Sequence, residues 1–328
     1  MLTAFRRLLQ LLCLIALFAA GAVLFTVRPF VFASRDPSIP AHAKPERIQA
    51  DIVRLATQFG SRSNDRPEDL SRVADDLLAS MRATNARVSL QTFSVAGRAY
   101  QNVLSEHGFL NESGTVVIGA HYDTVPDSPG ADDNATGVAA LLELNRLFAD
   151  YPPPCKVVLA AYPLEELLAN RVTDTGSFIH ASELKRAKEP LRLMISLESI
   201  GYFSAQPGSQ QYPLRLLYWL YSNKGDFLAV VGKPTFSGAT LEIKSAFARA
   251  TALPVSSVNA SRAVEGIDFS DHRSFWLHGF DAVMLTDTAM FRNPNYHKRS
   301  DLPESVDAKK VAEVADGVFE YLRSLGES

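Results

Sequence analysis

From Leu8 to Val27 the chain is almost wholly apolar, with only Gln10 and Thr26 plainly polar. As a helix such a run rises about 30 Å, enough to cross a hydrocarbon core. It shows no polar stripe, whereas a helix on the surface of a soluble body keeps one. The run predicts a single transmembrane helix. Arg6 and Arg7 before it favour a cytoplasmic N-terminus, although Arg28 behind it weakens that bias. Residues 1–33 are thus read as a cytoplasmic stub and membrane anchor, with the rest outside the cytoplasm. The alternative is a signal peptide cleaved after Val31-Phe32-Ala33, which would leave a secreted or periplasmic protein.

Residues 34–46 hold Pro37, Pro40 and Pro45 and read as a linker. The body, 47–328, then settles into a rhythm. Helical spacing of apolar positions predicts helices over Glu46–Phe59 and Pro67–Ala83. Val88–Val95 and Ala99–Ser105 read as strands paired around Gly97. Continuous apolar runs predict buried strands at Thr115–Ala120, Lys156–Ala161, Leu191–Leu197 and Asp281–Leu285. Helices are expected at Thr136–Phe148, Gly176–Ala187, Leu241–Ala250 and Val306–Leu325. Strands alternating with helices imply an α/β fold whose parallel strands are covered on both faces. Ser204–Asn223, rich in Pro, Gly and Gln and then in aromatics, reads as an insertion or lid loop.

Composition agrees with one large folded body: 47% of the 328 residues are apolar and 21% charged. The net charge of −3 leaves no electrostatic footprint for nucleic acid. Two cysteines, Cys13 in the apolar run and Cys155 in the body, make no disulfide framework. Three Asn-x-Ser/Thr triplets, at Asn111, Asn134 and Asn259, read as chance occurrences.

The chemistry-bearing residues gather just behind the expected strands. His121 and Asp123 follow the first buried strand, Glu165 and Glu166 the second, and Glu198 the third. Asp287 and then His297 follow the last. In open α/β sheets ligands bind outside the carboxyl ends of strands, so these distant segments would meet on one rim. Imidazole and carboxylate without thiolate suit zinc. Asp133, in a loop before a helix, could bridge two ions through its two oxygens. Singly, each residue also has a plain reading: a hydrogen-bonded strand-end histidine, a solvated acid, a helix cap. The order and placement of the whole set argue for a metal site.

The stretches "VVIGAHYDTVPDSPGADDNATGVAALLEL", "KVVLAAYPLEE", "LMISLESIGYF", "VEGIDFSDHRSFW" and "NPNYHKRSDLPE" resemble the di-zinc aminopeptidase family of metallopeptidases. Relatives of that family include glutamate carboxypeptidases and glutaminyl cyclases. The resemblance implies a mixed, mainly parallel sheet flanked by helices. It implies two zinc ions bridged by Asp133, with His121 and Glu198 completing one site and Glu166 and His297 the other. Glu165 would be the general base. Asp123 would hydrogen-bond the His121 imidazole and fix its tautomer. Asp301, four residues after His297, is expected to orient it. Asp271 and His272 are candidates for lining the site, His272 with the further option of polarising the scissile carbonyl.

Two positions depart from the family pattern. Glu198 stands where Asp is more common, one methylene longer, which implies that the His121/Glu198 ion is the looser of the two. Leu167-Leu168-Ala169 replaces a glycine-containing turn after the acidic pair. The activity implied is a zinc exopeptidase acting on peptides, most simply an aminopeptidase. A single-zinc acyltransferase like the glutaminyl cyclases, a carboxypeptidase, and a metal-free receptor-like protein are the alternatives.

Overall fold

A computed structural model of the chain describes residues 26–167, 169–234 and 238–326, with Arg6, Gln10 and Gly21. The expected transmembrane run lies almost entirely outside these residues. Among the described residues no helix is long and apolar enough to cross a membrane.

The body opens with α1 (Pro45–Val53), which continues into a π-helical turn (Arg54–Phe59), and then α2 (Pro67–Arg82). A hairpin follows, β1 (Arg87–Val95) and β2 (Arg98–His107), in which Val95 faces Arg98. Its turn residues Ala96 and Gly97 both have positive φ, the geometry that matches strand twist in a two-residue hairpin. Next come β3 (Thr115–His121), α3 (Gly137–Asp150), β4 (Lys156–Tyr162), α4 (Gly176–Ala187) and β5 (Leu191–Glu198). The expected lid loop is largely irregular, with one short helix, α5 (Leu217–Leu220). The chain ends through β6 (Leu228–Gly232), α6 (Ala239–Ala250), β7 (Val255–Asn259), α7 (His272–Leu277), β8 (Ala282–Thr286) and α8 (Ala308–Ser324). Sequence patterning gave no sign of β6 and β7, which are only five residues each.

These strands form one eight-stranded sheet in the order β1-β2-β4-β3-β5-β8-β6-β7. The centre, β4-β3-β5-β8, is parallel; β1, β2 and the β8–β6 contact are antiparallel, and β7 runs parallel to β6. The sheet is mixed and mainly parallel, as the resemblance implied. Alternate residues of β3 divide between the two faces. Val116 and Ile118 join the main core with Leu77 of α2, Leu141 and Leu144 of α3, and Val318 of α8. Val117 joins a second cluster on the other face with Ala181 of α4 and Phe275 of α7. Burial on both faces is why these strands read as unbroken apolar runs.

The order of assembly also places the site. From β3 the chain steps to β4 on one side and then crosses to β5 on the other. Such a reversal opens a crevice at the carboxyl ends of the two diverging strands. His121 ends β3 and Glu198 ends β5.

Candidate metal centre

His121, Asp133 and Glu198 bring one ligand atom each into a common space, and so do Asp133, Glu166 and His297. His121 Nε2 lies 3.3 Å from Asp133 Oδ1 and 3.2 Å from Glu198 Oε2. His297 Nε2 lies 3.1 Å from Asp133 Oδ2 and 3.2 Å from Glu166 Oε1. Ligand atoms on a tetrahedral zinc, each about 2.1 Å from the metal, are separated by about 3.4 Å. The four observed spacings, two in each set, are close to that edge length, and the two sets share Asp133. His121 Nε2, Asp133 Oδ1 and Glu166 Oε1 are buried without a hydrogen-bond partner. Orphaned polar atoms at such depth are rare and costly, so the donor set fits a cation.

Electrostatics point the same way. Burial pushes Glu166 up to about 8, helped by the Asp133 charge. Burial also raises Glu165 well above the usual carboxylate range, with Glu198, Glu166 and Asp271 adding to it and His121 opposing. Burial would lower His121, yet Glu198 and contacts with Asp123 and Asp133 outweigh it and raise its pKa. His297, likewise opposed by burial, is lifted to about 10 by Asp133 and Glu166. The pocket concentrates negative charge that two imidazoles do not balance, which favours a divalent ion.

Each ligand is held by an identifiable neighbour. Asp133 lies at a kink in the turn Ala131–Thr136, with non-helical backbone of φ −106° and ψ 88°, entered through Gly130, whose φ is +57°. Asn134 ties this loop to β5: its Nδ2 donates to the Leu197 carbonyl at 2.8 Å and its Oδ1 accepts from Ser199 N at 3.1 Å. Gly137 has to be small, because a Cβ there would sit 2.5 Å from Asn134 Oδ1 and 2.7 Å from the Leu197 carbonyl. Glu198 accepts from Ser270 Oγ at 2.8 Å and Ser199 Oγ at 3.0 Å. His297 has a positive φ and stacks on Tyr296 at 3.8 Å between centroids.

Two sequence expectations need correction, and a third is extended. Asp123 does face the His121 imidazole: its carboxylate is 3.5 Å from Nδ1 and helps raise the ring's pKa, and its backbone carbonyl is nearer still at 3.1 Å. The carboxylate oxygens also accept from the backbone N–H groups of Glu165 and Glu166 at 3.2 and 3.1 Å, so Asp123 positions the acidic pair as well. Asp301 does not orient His297; its oxygens accept from the backbone N–H groups of Asp132 and Asp133 at 3.0 and 3.1 Å and fix the bridging loop. His272 does not line the site. Its Nε2 faces the Ile267 carbonyl at 2.8 Å and its ring packs edge-on against Trp276. Asp271, by contrast, lines the same cavity as Glu165, Glu166 and His297, and burial pushes it to about 7. Asp287 stays outside both trios, accepting from Ala289 N and Tyr202 N.

Sequence patterning missed Arg62. Its guanidinium is wholly buried and donates to the carbonyls of Leu55, Gly60, Tyr122, Pro129 and Gly130. No periodicity or motif marks it, because its partners are backbone atoms.

Glu165 is half-buried and lines a cavity of about 360 Å³ with the more exposed, outer trio of Asp133, Glu166 and His297, and with Glu198 and Tyr296. A second cavity of about 390 Å³ shares Glu198, Tyr296, Phe269 and Met290 with it and is otherwise lined largely by apolar side chains such as Tyr212, Leu217, Phe227 and Val258. One wall of the site is acidic and the adjoining chamber apolar.

The profile of peptidase family M28 matches residues 102–322. Over 294 residues, 87% of this chain and 90% of the relative, the chain is 40% identical to the uncharacterized protein YfbL of Escherichia coli (strain K12). Among solved structures, BSAP, a zinc aminopeptidase from Bacillus subtilis, superposes with a TM-score of 0.67 at 15% identity, covering 87% of this chain and 96% of that one. Bacteroides thetaiotaomicron glutaminyl cyclase superposes with a TM-score of 0.64 at 15% identity, covering 87% and 99%. At such identities the two structures speak for the fold alone.

Proposed function

The chain belongs to peptidase family M28 and is a metallo-exopeptidase; within that class we propose that it is an aminopeptidase holding two zinc ions. The observation that carries this reading is the pair of three-residue sets joined by Asp133, with buried ligand atoms left unpartnered. His121, Asp133 and Glu198 would hold one ion, and Asp133, Glu166 and His297 the other. Zinc, when bound, supplies Lewis acidity toward water and toward the scissile carbonyl. Glu165 belongs to neither trio, and its carboxylate is free to take a proton from the attacking water and pass it to the leaving amine. Asp123 holds Glu165 in place through its backbone N–H. The surplus of carboxylates would attract the free α-ammonium of a peptide, which favours removal of N-terminal residues. The apolar chamber beside Glu198 suits an apolar side chain.

The glutaminyl cyclase-like fold sustains a second reading, a single-zinc acyltransferase. A peptide-library digest with and without chelator, read by mass spectrometry alongside zinc per chain, tests both. Chelator-sensitive loss of N-terminal residues with two zincs per chain is the expected result. One zinc and cyclised N-terminal Gln would favour the second reading.

We further read Leu8–Val27 as an anchor that leaves residues 34–328 outside the cytoplasm. Protease added to intact cells or spheroplasts should reach the body; protection there would refute this orientation.

A further inference from the structure

From Gly201 to Gly225 the chain has no acidic residue, although it has 36 in all, and it carries Arg215 and Lys224. Both cations are exposed. Around and between them large apolar side chains are exposed: Leu214 just before Arg215, then Leu216, Tyr218 and, at 88%, Trp219. Contiguous exposed apolar surface marks an interaction site. Tryptophan and tyrosine beside cationic side chains are the mixture found at a membrane–water interface.

The end of the apolar N-terminal run is fastened to this loop. Arg28 donates to the Leu220 carbonyl, and its guanidinium lies 4.7 Å from the centre of the Tyr221 ring. Asn259 Nδ2 donates to the Thr26 carbonyl at 2.9 Å, and Lys244 Nζ to the Pro29 carbonyl at 2.6 Å. Val27 lines the same apolar cavity as Leu217 and Leu220. Phe30 and Phe32 extend the exposed apolar surface toward the linker, Phe32 at 98% exposure.

We propose that residues 214–219, with Phe30 and Phe32, seat on a lipid bilayer carrying anionic headgroups. The occupant follows from two observations: a sequence run of bilayer-spanning length ends at this face, and the loop 201–225 is free of acids on a body of net negative charge, Glu265 being an exposed acid on the neighbouring rim of the cavity. Seating would hold the body against the membrane instead of letting it swing on its linker. The apolar cavity would then open beside the interface, within reach of amphipathic peptides lying there. The inference rests on Leu8–Val27 being an anchor and is independent of the peptidase reading.

The chain has two tryptophans, Trp219 and Trp276. The full chain, reconstituted in phosphatidylethanolamine and phosphatidylglycerol vesicles, is compared with the same lipids brominated on their acyl chains. Subtracting the signal of a Trp219→Phe variant isolates Trp219. Its emission should shift to the blue and fall about twofold or more under bromine, as for an interfacial side chain. Exchanging phosphatidylglycerol for phosphatidylcholine, or combining Arg215→Glu with Lys224→Glu, should weaken the quenching. Flotation of the chain with unquenched Trp219 overturns the seating while leaving the anchor intact. Failure to float overturns both. Trp219 shielded from acrylamide yet untouched by bromine would mean that a second copy covers the face. Quenching indifferent to headgroup charge would overturn the anionic requirement.

Discussion

His121 and His272 are equally buried, and their surroundings treat them in opposite ways. Around His272, burial depresses the pKa to about 4 and leaves a neutral ring facing a carbonyl. Burial at His121 is outweighed by Glu198, Asp123 and Asp133. His180 belongs with His272: buried, held at about 4, its Nδ1 2.7 Å from the Tyr162 hydroxyl. Burial alone leaves an imidazole neutral and inert; burial among carboxylates gathers negative charge where a metal ion can take the place of the ring's proton. In sequence both histidines stand close to an aspartate, Asp123 and Asp271, so spacing along the chain could not separate them.

The sharpest way to break this contrast is at Asp133, which both trios share. Asp133→Asn should strip zinc from both sites and abolish hydrolysis, read as zinc per chain by atomic absorption; a variant keeping one tightly bound ion would show that the carboxylate is not a bridge. Glu165→Gln should keep zinc and lower kcat about 10²–10⁴-fold. Retention of more than about a tenth of the rate, against that expectation, would remove Glu165 from the mechanism.

On the inert side the effect is on stability. The folded pKa of His180 lies below its unfolded value of about 6.5, so the unfolded chain binds the proton more readily. Its contribution is present above about pH 6.5 and drains away as pH falls toward 4, on the order of 3 kcal/mol. His180→Phe should therefore flatten the acid limb of stability against pH in zinc-free protein; an unchanged limb would contradict a neutral buried ring. The smallest expected effect is at Asp301. Asp301→Asn should weaken zinc binding about 10–100-fold without removing any ligand, measured by competition with a chromophoric chelator. Unaltered affinity would mean the bridging loop is held without it.

The two half-sites differ in a related way. The His297 side chain is 35% exposed, whereas that of His121 is 1% exposed. Side-chain length suggested that the Glu198 half is the looser. Glu198 reaches His121 Nε2 at the same 3.2 Å at which Glu166 reaches His297 Nε2, and two serine hydroxyls hold it. On these grounds graded chelation should take the outer ion first.

Much of the architecture was legible because the central strands are buried on both faces. Thr115–His121, Lys156–Tyr162 and Leu191–Glu198 each run one residue past the expected end, and Gly176–Ala187 matches it. Strands β6 and β7 escaped notice: both are short, and Ser256 and Ser257 interrupt the apolar pattern of β7. The grouping of the five ligand candidates was readable from their places behind strands. What supports them was not. Asp301 follows His297 closely in sequence but spends its oxygens on the backbone of residues far upstream. Hydrogen bonds to main chain leave no side-chain pattern to read.

Arg62 shows what this means for the limits of a working fragment. The family profile spans residues 102–322 and contains all five ligand candidates and Glu165. A segment cut to those limits would lack the guanidinium that joins the turn after α1, the end of β3 and the approach to Asp133. The carbonyls of Tyr122, Pro129 and Gly130 would lose their shared donor, and Asp123, Asp133 and Asp301 a buried positive charge that acts on them. A working fragment therefore has to begin upstream of residue 62, because the N-terminal helices and the metal loop share this one donor.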